Sequence, residues 1–261
     1  MNEKIEYKVL ARKYRPQTFA DLIGQETLVH ILTNAISTNR IANAYLLTGV
    51  RGVGKTTTAR LIAMSLNCEN KKDDSCEPCG TCESCKSIRS DHNLDVIEMD
   101  AASKTGVDDV REIIDNVKYK PVNCKFKIFI IDEVHMLSKS AFNALLKTLE
   151  EPPEHVKFIF ATTEVKKIPV TILSRCQRFD LKRVESKDLI QHLKRISELE
   201  KVKVDEDAIS LLVRAGDGSV RDSLSLLDQA IINTDTSVSA ETVANMLGLA
   251  DRGKIYELLG H

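Results

Sequence analysis

The sequence predicts an α/β domain built on a five-stranded parallel sheet, followed by a small helical domain. Two observations carry this. Up to about residue 180, short β-rich apolar runs alternate with helical patterns, as in a parallel sheet covered on both faces. Beyond Leu181 the β-rich runs cease and only helical periodicity continues. The length of 261 residues has room for both domains.

The expected strands are 44–48 (AYLLT), 95–99 (DVIEM), 127–131 (KIFII), 157–162 (KFIFAT) and 178–181 (RFDL). Between them lie helical stripes. Leu28, Leu32, Ala35 and Ile36 form one; Val107, Val110, Ile113, Ile114 and Val117 form another. Phe142, Leu145, Leu146 and Leu149 form the clearest, with Ser138 as its N-cap and Pro152-Pro153 as its stop. The second domain, over 181–250, reads as four helices. Leu189, Leu193 and Ile196 mark the first, with Ser186 as its expected N-cap. Ile209, Leu212 and Val213 mark the second, ended near Gly216 and Gly218. Val220, Leu224, Leu227 and Ile231 mark the third; Val243 and Leu247, closed by Gly248, mark the last. Residues 251–261 read as the start of a further domain, cut short.

Composition narrows the function classes. Apolar residues make up 43% and charged residues 29%, which excludes wholesale disorder. A net charge of −1 excludes a broadly basic nucleic-acid coat but leaves room for a local basic surface. Without Trp, and with 5% aromatics, there is no obvious stacking platform for single strands. The charged start, Met1 to Pro16, lacks the apolar stretch of a signal peptide, and no apolar run reaches the ~20 residues of a membrane helix. The expectation is therefore a cytoplasmic protein. There, seven Cys point to metal or redox chemistry, not to a disulfide framework.

Gly49-Val50-Arg51-Gly52-Val53-Gly54-Lys55-Thr56 fits the phosphate-loop pattern GxxxxGK[ST]. It follows the first strand and opens the helix of Ala59, Ile62, Ala63 and Leu66, as that motif requires. The glycines let backbone N–H groups curl round phosphate oxygens, and the loop through Thr57 forms the nucleotide cradle. Lys55 neutralises β- and γ-phosphate charge; the Thr56 hydroxyl ligates Mg²⁺. Ile128-Phe-Ile-Ile-Asp132-Glu133 is the partner motif. Its apolar strand delivers Asp132 to a carboxyl end, where Asp132 holds Mg²⁺ and Glu133 polarises the attacking water.

Asp132-Glu133-Val-His135 after an apolar strand resembles the AAA+ P-loop ATPases. Tyr14-Arg15-Pro16, Phe19-Ala-Asp21, Ile23-Gly24-Gln25, Lys147-Thr-Leu-Glu150-Glu-Pro-Pro153, Ser174-Arg175-Cys176 and Gly218-Ser-Val-Arg221 extend the likeness over essentially the whole chain. With the cysteine cluster they are similar to the bacterial replicative clamp-loader ATPases. The resemblance implies an AAA+ domain at 1–180 with an insert at 68–85, a helical lid at 181–250, and an assembly collar beginning at 251. It makes Thr163 the sensor of the γ-phosphate, where the blander reading is a strand-end hydroxyl. It makes Arg175 an arginine finger acting in trans, where the blander reading is a surface salt bridge. Arg221 becomes the lid's sensor, at a helix start where the dipole disfavours a cation. The resemblance also places Arg15 and Pro16 beside the base or ribose.

Cys68, Cys76, Cys79, Cys82 and Cys85 fall within 18 positions. Four thiolates satisfy tetrahedral Zn²⁺ and close its coordination, which makes a structural site. Spacing leaves Cys76 open as a ligand in place of Cys68; the resemblance picks Cys68, Cys79, Cys82 and Cys85. The run from Cys76 to Cys85 also approaches an iron–sulfur pattern, but its last spacing is one short and Lys86 stands where Pro belongs. Free cysteines are the third reading. Residues 68–95 carry seven acids against four bases, the wrong sign for phosphate. Cys124 and Cys176 read as packing residues.

The expected function is an ATP-driven motor subunit that loads a sliding clamp onto primer–template DNA. It would act within a hetero-oligomer of clamp-loader subunits and use ATP with Mg²⁺ and a structural Zn²⁺. The chain shows no polymerase site of its own, so a polymerase label belongs to the holoenzyme. Lys104, Arg111 and Thr171 are candidate DNA contacts. The alternatives are a non-catalytic scaffold subunit, against which Lys55, Thr56, Asp132 and Glu133 all stand, or another AAA+ motor such as a branch-migration helicase. The isolated chain is expected to be monomeric or weakly associating.

Overall fold

The computed structural model describes residues 7–38, 40–72, 75–234 and 237–249. The expected collar start at 251–261 lies outside them. The chain forms two compact units: Pro16–Lys182, and a second that joins the N-terminal residues up to Arg15 to the chain from Arg183 onward. The N-terminal segment was expected in the α/β domain. Its partners explain the difference. It contains a short helix α1 (Leu10–Lys13); Tyr7 Oη donates to Asp228 Oδ1 at 2.7 Å, and Lys13 Nζ and the Tyr14 hydroxyl both donate to Glu200 Oε1.

In the α/β unit the order is α2 (Glu26–Ser37), β1 (Ala44–Thr48), α3 (Lys55–Asn67), α4 (Glu83–Arg89), β2 (Val96–Asp100) and α5 (Val107–Val117). Then come β3 (Lys127–Asp132), α6 (Lys139–Glu150), β4 (Val156–Thr162), α7 (Val170–Leu173) and β5 (Gln177–Asp180). All five strands are parallel, in the order β2-β3-β4-β1-β5. The expected strands are all present, with ends shifted by no more than one residue. Ser138 caps α6 by accepting from Ala141 N at 3.2 Å.

Alternation along the strands feeds two cores. Tyr45, Leu47, Ile128, Ile130, Ile159 and Ala161 face α2 and α3. Leu46, Phe129, Ile131, Phe158 and Phe160 face the side of α5 and α6. β1 and β4 are buried along their whole length, so both run through the middle of the sheet. This order puts the end of β4 between the loop after β1 and the acid at the end of β3.

The helical unit contains α8 (Ser186–Leu199), α9 (Glu206–Gly216), α10 (Val220–Ile232) and α11 (Ala240–Met246). Ser186 is the first helical residue, not the cap. Glu185 holds the cap position with extended backbone and without a side-chain cap bond. The expectation that strands cease is also corrected. β6 (Lys203–Val204) and β7 (Ser237–Val238) pair in parallel, and Asp205 N donates to Val238 O at 3.0 Å. Two-residue strands carry no periodicity, so their signal is the pairing itself.

Candidate nucleotide site and thiolate cluster

The phosphate loop is held open by backbone that only glycine adopts readily. Gly49, Gly52 and Gly54 have φ of 150°, 76° and 101°. At Gly49 the space is also closed: a Cβ would lie 2.7 Å from the Leu181 carbonyl oxygen. Gly54 is the N-cap of α3, and Lys55 is its first residue. The Lys55 ammonium is buried and donates to the carbonyls of Gly49 and Val50 at 3.1 and 3.0 Å. Burial lowers its pKa, and the facing carboxylates of Glu133 and Asp132 oppose that shift. Val53 is buried under the loop, while Arg51 is exposed.

Thr56 Oγ1 donates to Asp132 Oδ2 at 2.5 Å, which joins the two motifs across the strand ends. Glu133 follows in the left-handed region, at φ 46°, a conformation a β-unbranched acid tolerates at a cost of ~1–3 kcal/mol. Its carboxylate is turned to the end of β4, where it accepts from Thr163 N at 3.3 Å and Thr163 Oγ1 at 3.1 Å. The expected sensor therefore touches the expected base directly. The sequence reading missed the layer behind them. The mostly buried His135 ring places Nδ1 2.9 Å from Thr162 Oγ1 and 3.4 Å from Glu133 Oε2, with Nε2 3.4 Å from Glu164 Oε1. The signal available was the His at the fourth position of the D-E-x-H run.

Arg175 lies just beyond α7. It pairs with Glu150 at 2.7 Å and donates to the Thr171 carbonyl at 2.6 Å. Arg111 pairs with Asp108 on exposed helix surface, and Lys104 is exposed. In the helical unit, Arg221 is exposed at the second position of α10. Arg15 belongs to the helical unit and Pro16 to the α/β unit.

The sulfurs of Cys68, Cys79, Cys82 and Cys85 all lie within 4.8 Å of one another. Zn–S bonds of ~2.3 Å put tetrahedral sulfurs nearly 4 Å apart, so the set fits a closed zinc site. Burial pushes the Cys68 and Cys85 thiols up, and backbone N–H groups aimed at three of the sulfurs act in the opposite direction. Cys79 N donates to Cys68 Sγ, Cys82 N to Cys79 Sγ, and Cys85 N to Cys82 Sγ, at 3.2–3.4 Å. The Thr81 hydroxyl and backbone N–H, with that of Cys82, push the Cys79 thiol down to about 6. Cys76 stands outside the cluster: it is buried, and its sulfur lies 3.0 Å from the Thr33 hydroxyl. Cys124 sits 3.7 Å from Ser84 Oγ, and Cys176, half-buried, is pushed up to about 12 by burial, as befits packing thiols.

A phosphate loop at the end of β1, an acid pair at the end of β3 and a separate helical unit together define a P-loop nucleotide-binding protein of AAA+ architecture. Comparison with known proteins agrees. The family model "DNA polymerase III, delta subunit" matches residues 24–185, and "DNA polymerase III clamp loader subunit, ATPase lid domain" matches 188–236. DNA polymerase III subunit tau/gamma of Haemophilus influenzae is 52% identical over 98% of this chain and 37% of its own length. Subunit tau of Escherichia coli is 51% identical over 98% and 39%. Subunit gamma of Buchnera aphidicola from Acyrthosiphon pisum is 49% identical over 94% and 67%. The chain belongs to the DNA polymerase III clamp-loader subunit family, in its tau/gamma branch. It spans under two fifths of the length of the first two relatives. Among solved structures, the Thermotoga maritima RuvB Holliday junction branch migration motor has a TM-score of 0.63. It is 18% identical and covers 90% of this chain and 72% of that one, a likeness of fold alone. No described helix is long and apolar enough to cross a membrane.

Proposed function

We propose that this chain is the ATP-hydrolysing motor part of a bacterial replicative clamp loader, placing a sliding clamp on primer–template DNA. The bond between Thr56 and Asp132 is the observation that carries the reading, because it brings a magnesium-binding pair beside a phosphate cradle. When bound, ATP with Mg²⁺ supplies the transferable phosphoryl group and the charge that neutralises it. The loop from Gly49 to Thr57 presents its N–H groups to phosphate, and Lys55 neutralises negative charge. Thr56 and Asp132 are the residues that would hold the cation. Glu133 takes the proton of the attacking water once released from Thr163, and Thr163 then reads the γ-phosphate. The Glu133–Thr163 contact thus couples sensing to base positioning.

Arg175 completes a neighbouring subunit's site. Arg221 reads nucleotide state from the lid, and Arg15 with Pro16 serves the base or ribose; these roles rest on the family likeness. Cys68, Cys79, Cys82 and Cys85 would hold zinc and brace the insert. The partners are other clamp-loader subunits, the clamp and primed DNA, with Lys104, Arg111 and Thr171 as DNA contacts, and the location is the cytoplasm. The test is the ATPase of the full assembly with and without clamp and primed DNA. Stimulation that requires both is expected. Stimulation by blunt duplex without clamp would replace the reading with a branch-migration motor, and absence of hydrolysis would replace it with a scaffold.

A further inference from the structure

Two of the ties between the cysteine insert and the rest of the α/β unit lead toward the phosphate loop. Cys68 directly follows α3, so the cluster hangs from the far end of the phosphate-loop helix. The second tie is Glu77, two residues before Cys79. Its Oε2 accepts from Phe19 N and its Oε1 from Ala20 N, each at 2.8 Å. These N–H groups open the 3₁₀ turn Phe19–Asp21 and have no partner within that turn. A carboxylate on paired backbone donors makes charge-assisted bonds, the stronger kind. Ser75 Oγ accepts from Glu77 N at 3.0 Å and so braces the carboxylate's own backbone. Packing runs parallel to these bonds: Phe19, buried, shares one apolar core with Cys76, Cys82 and Cys85.

The segment held by Glu77 continues to the phosphate loop. Gln25, buried, donates through Nε2 to Lys182 O at 2.9 Å, and its Oε1 accepts from Lys182 N at 3.2 Å. The preceding residue is Leu181, whose N donates to Thr48 O at 2.7 Å. Its carbonyl oxygen is the atom that closes the space at Gly49. A continuous path of bonded groups therefore runs from Cys79 through Glu77, the turn at Phe19, Gln25 and Leu181 to the first glycine of the phosphate loop.

We infer that Glu77 is a positioning residue through which the thiolate cluster sets the shape of the phosphate loop, so that metal loading is coupled to nucleotide affinity. The inference rests on the nucleotide-binding reading above. Couplings between linked sites in proteins are commonly 5–150-fold, and about tenfold is expected here. The test uses the full chain loaded with zinc, with Glu77→Ala and Glu77→Gln. Glu77→Gln keeps one acceptor oxygen and should fall between wild type and Glu77→Ala. Expected results are full metal content, faster amide exchange at Phe19 and Ala20, and about tenfold weaker binding of both ATP and inorganic tripolyphosphate. The rate at saturating ATP should stay within about twofold, since the reacting groups are not touched. Stripping zinc from wild type should give the same exchange at Phe19 and Ala20 and the same weakening. In Glu77→Ala, stripping should add clearly less than in wild type, because this path is already cut and only the tie through α3 remains. Unchanged tripolyphosphate affinity in metal-loaded Glu77→Ala and Glu77→Gln would overturn the inference. So would an equal effect of stripping in Glu77→Ala and wild type. Wild-type chain that binds neither ATP nor tripolyphosphate would instead refute the nucleotide-binding reading.

Discussion

Removing Arg175 separates a structural arginine from a catalytic one by magnitude. In the folded chain its guanidinium pairs with Glu150 at 2.7 Å, with the two side chains 32% and 51% exposed. A screened pair of this kind contributes ~0–1 kcal/mol. Its second bond, to the Thr171 carbonyl, caps one helical turn and is worth about 1 kcal/mol. Arg175→Ala should therefore cost no more than about 2 kcal/mol of stability, read by thermal or denaturant unfolding. A finger acting on a neighbour's transition state is worth roughly 10³–10⁵ in rate, or about 4–7 kcal/mol. The assay is ATP turnover by the full assembly with clamp and primed DNA. Turnover should fall at least roughly a thousandfold, well beyond the stability loss. Mixing Arg175→Ala subunits with Glu133→Gln subunits should restore part of it, because the second variant lends an intact arginine to an intact base. A loss below about tenfold, or no recovery on mixing, would refute the trans assignment.

Glu133→Gln should leave ATP binding in place and lower turnover by roughly 10²–10⁴, the usual contribution of a positioned base; full turnover would remove Glu133 from the chemistry. Gly216→Ala adds a Cβ 2.0 Å from Ser223 Oγ and 3.1 Å from Ser223 Cβ. Overpacking of ~1–3 kcal/mol or more should outweigh the ~1 kcal/mol gained in helix propensity. Calorimetry should show a lower Tm for the helical unit, with Ser223→Ala giving partial rescue. Asp95 is buried, and burial alone would raise its pKa. Backbone N–H donors from Asn123, Val122 and Cys124 outweigh that and hold the carboxyl below its usual range. Its contribution is thus complete above the unfolded carboxyl pKa of ~3.9 and fades as pH falls through the lower folded value. Asp95→Asn should cost about 2 kcal/mol at neutral pH and flatten the acid limb of the stability profile; an unchanged acid limb would exclude Asp95 as its source.

What the sequence made legible was what short-range pattern can encode. The ends of β1 were read to the residue because a fully buried strand is a continuous apolar run bounded by the Gly of the next loop. Ser138 was read as a cap because the cap bond spans only three residues. The phosphate loop and the acids Asp132 and Glu133 were legible for the same reason. Contacts over long sequence distance were not. Tyr7 and Asp228, which seat the N-terminal segment on the helical unit, are 221 positions apart. Glu77 meets Phe19 across 58 positions, and nothing in either local sequence announces it. The Glu133–Thr163 bond was hidden in another way. Both residues had roles pointed at nucleotide, and only the sheet order, with β4 beside β3, makes them partners.

The position of the cysteines also bears on what the insert is for. α3 is buried through most of its thirteen residues, so it is a stiff core element about 20 Å long. Its N-terminus carries the Gly54-Lys55 end of the phosphate-loop motif, and Cys68 stands just past its C-terminus. Four thiolates around a divalent cation carry two net negative charges, and a helix C-terminus repels negative charge. The site is thus badly placed to stabilise α3 through its dipole, and at ~20 Å it supplies no useful charge to a phosphoryl group. The N–H···S bonds from Cys79, Cys82 and Cys85 offset part of the repulsion locally. Cys82 is also the N-cap of α4, whose N-terminus favours the thiolates, so the two helix ends offset each other and the position speaks for a mechanical role. Loaded with metal, the cluster would clamp the far end of α3 and, on the coupling inferred above, hold through Glu77 the separate segment that returns to Gly49 by way of Leu181. The phosphate loop would then be fixed from both sides: by α3 at Gly54, and by the braced segment at Gly49.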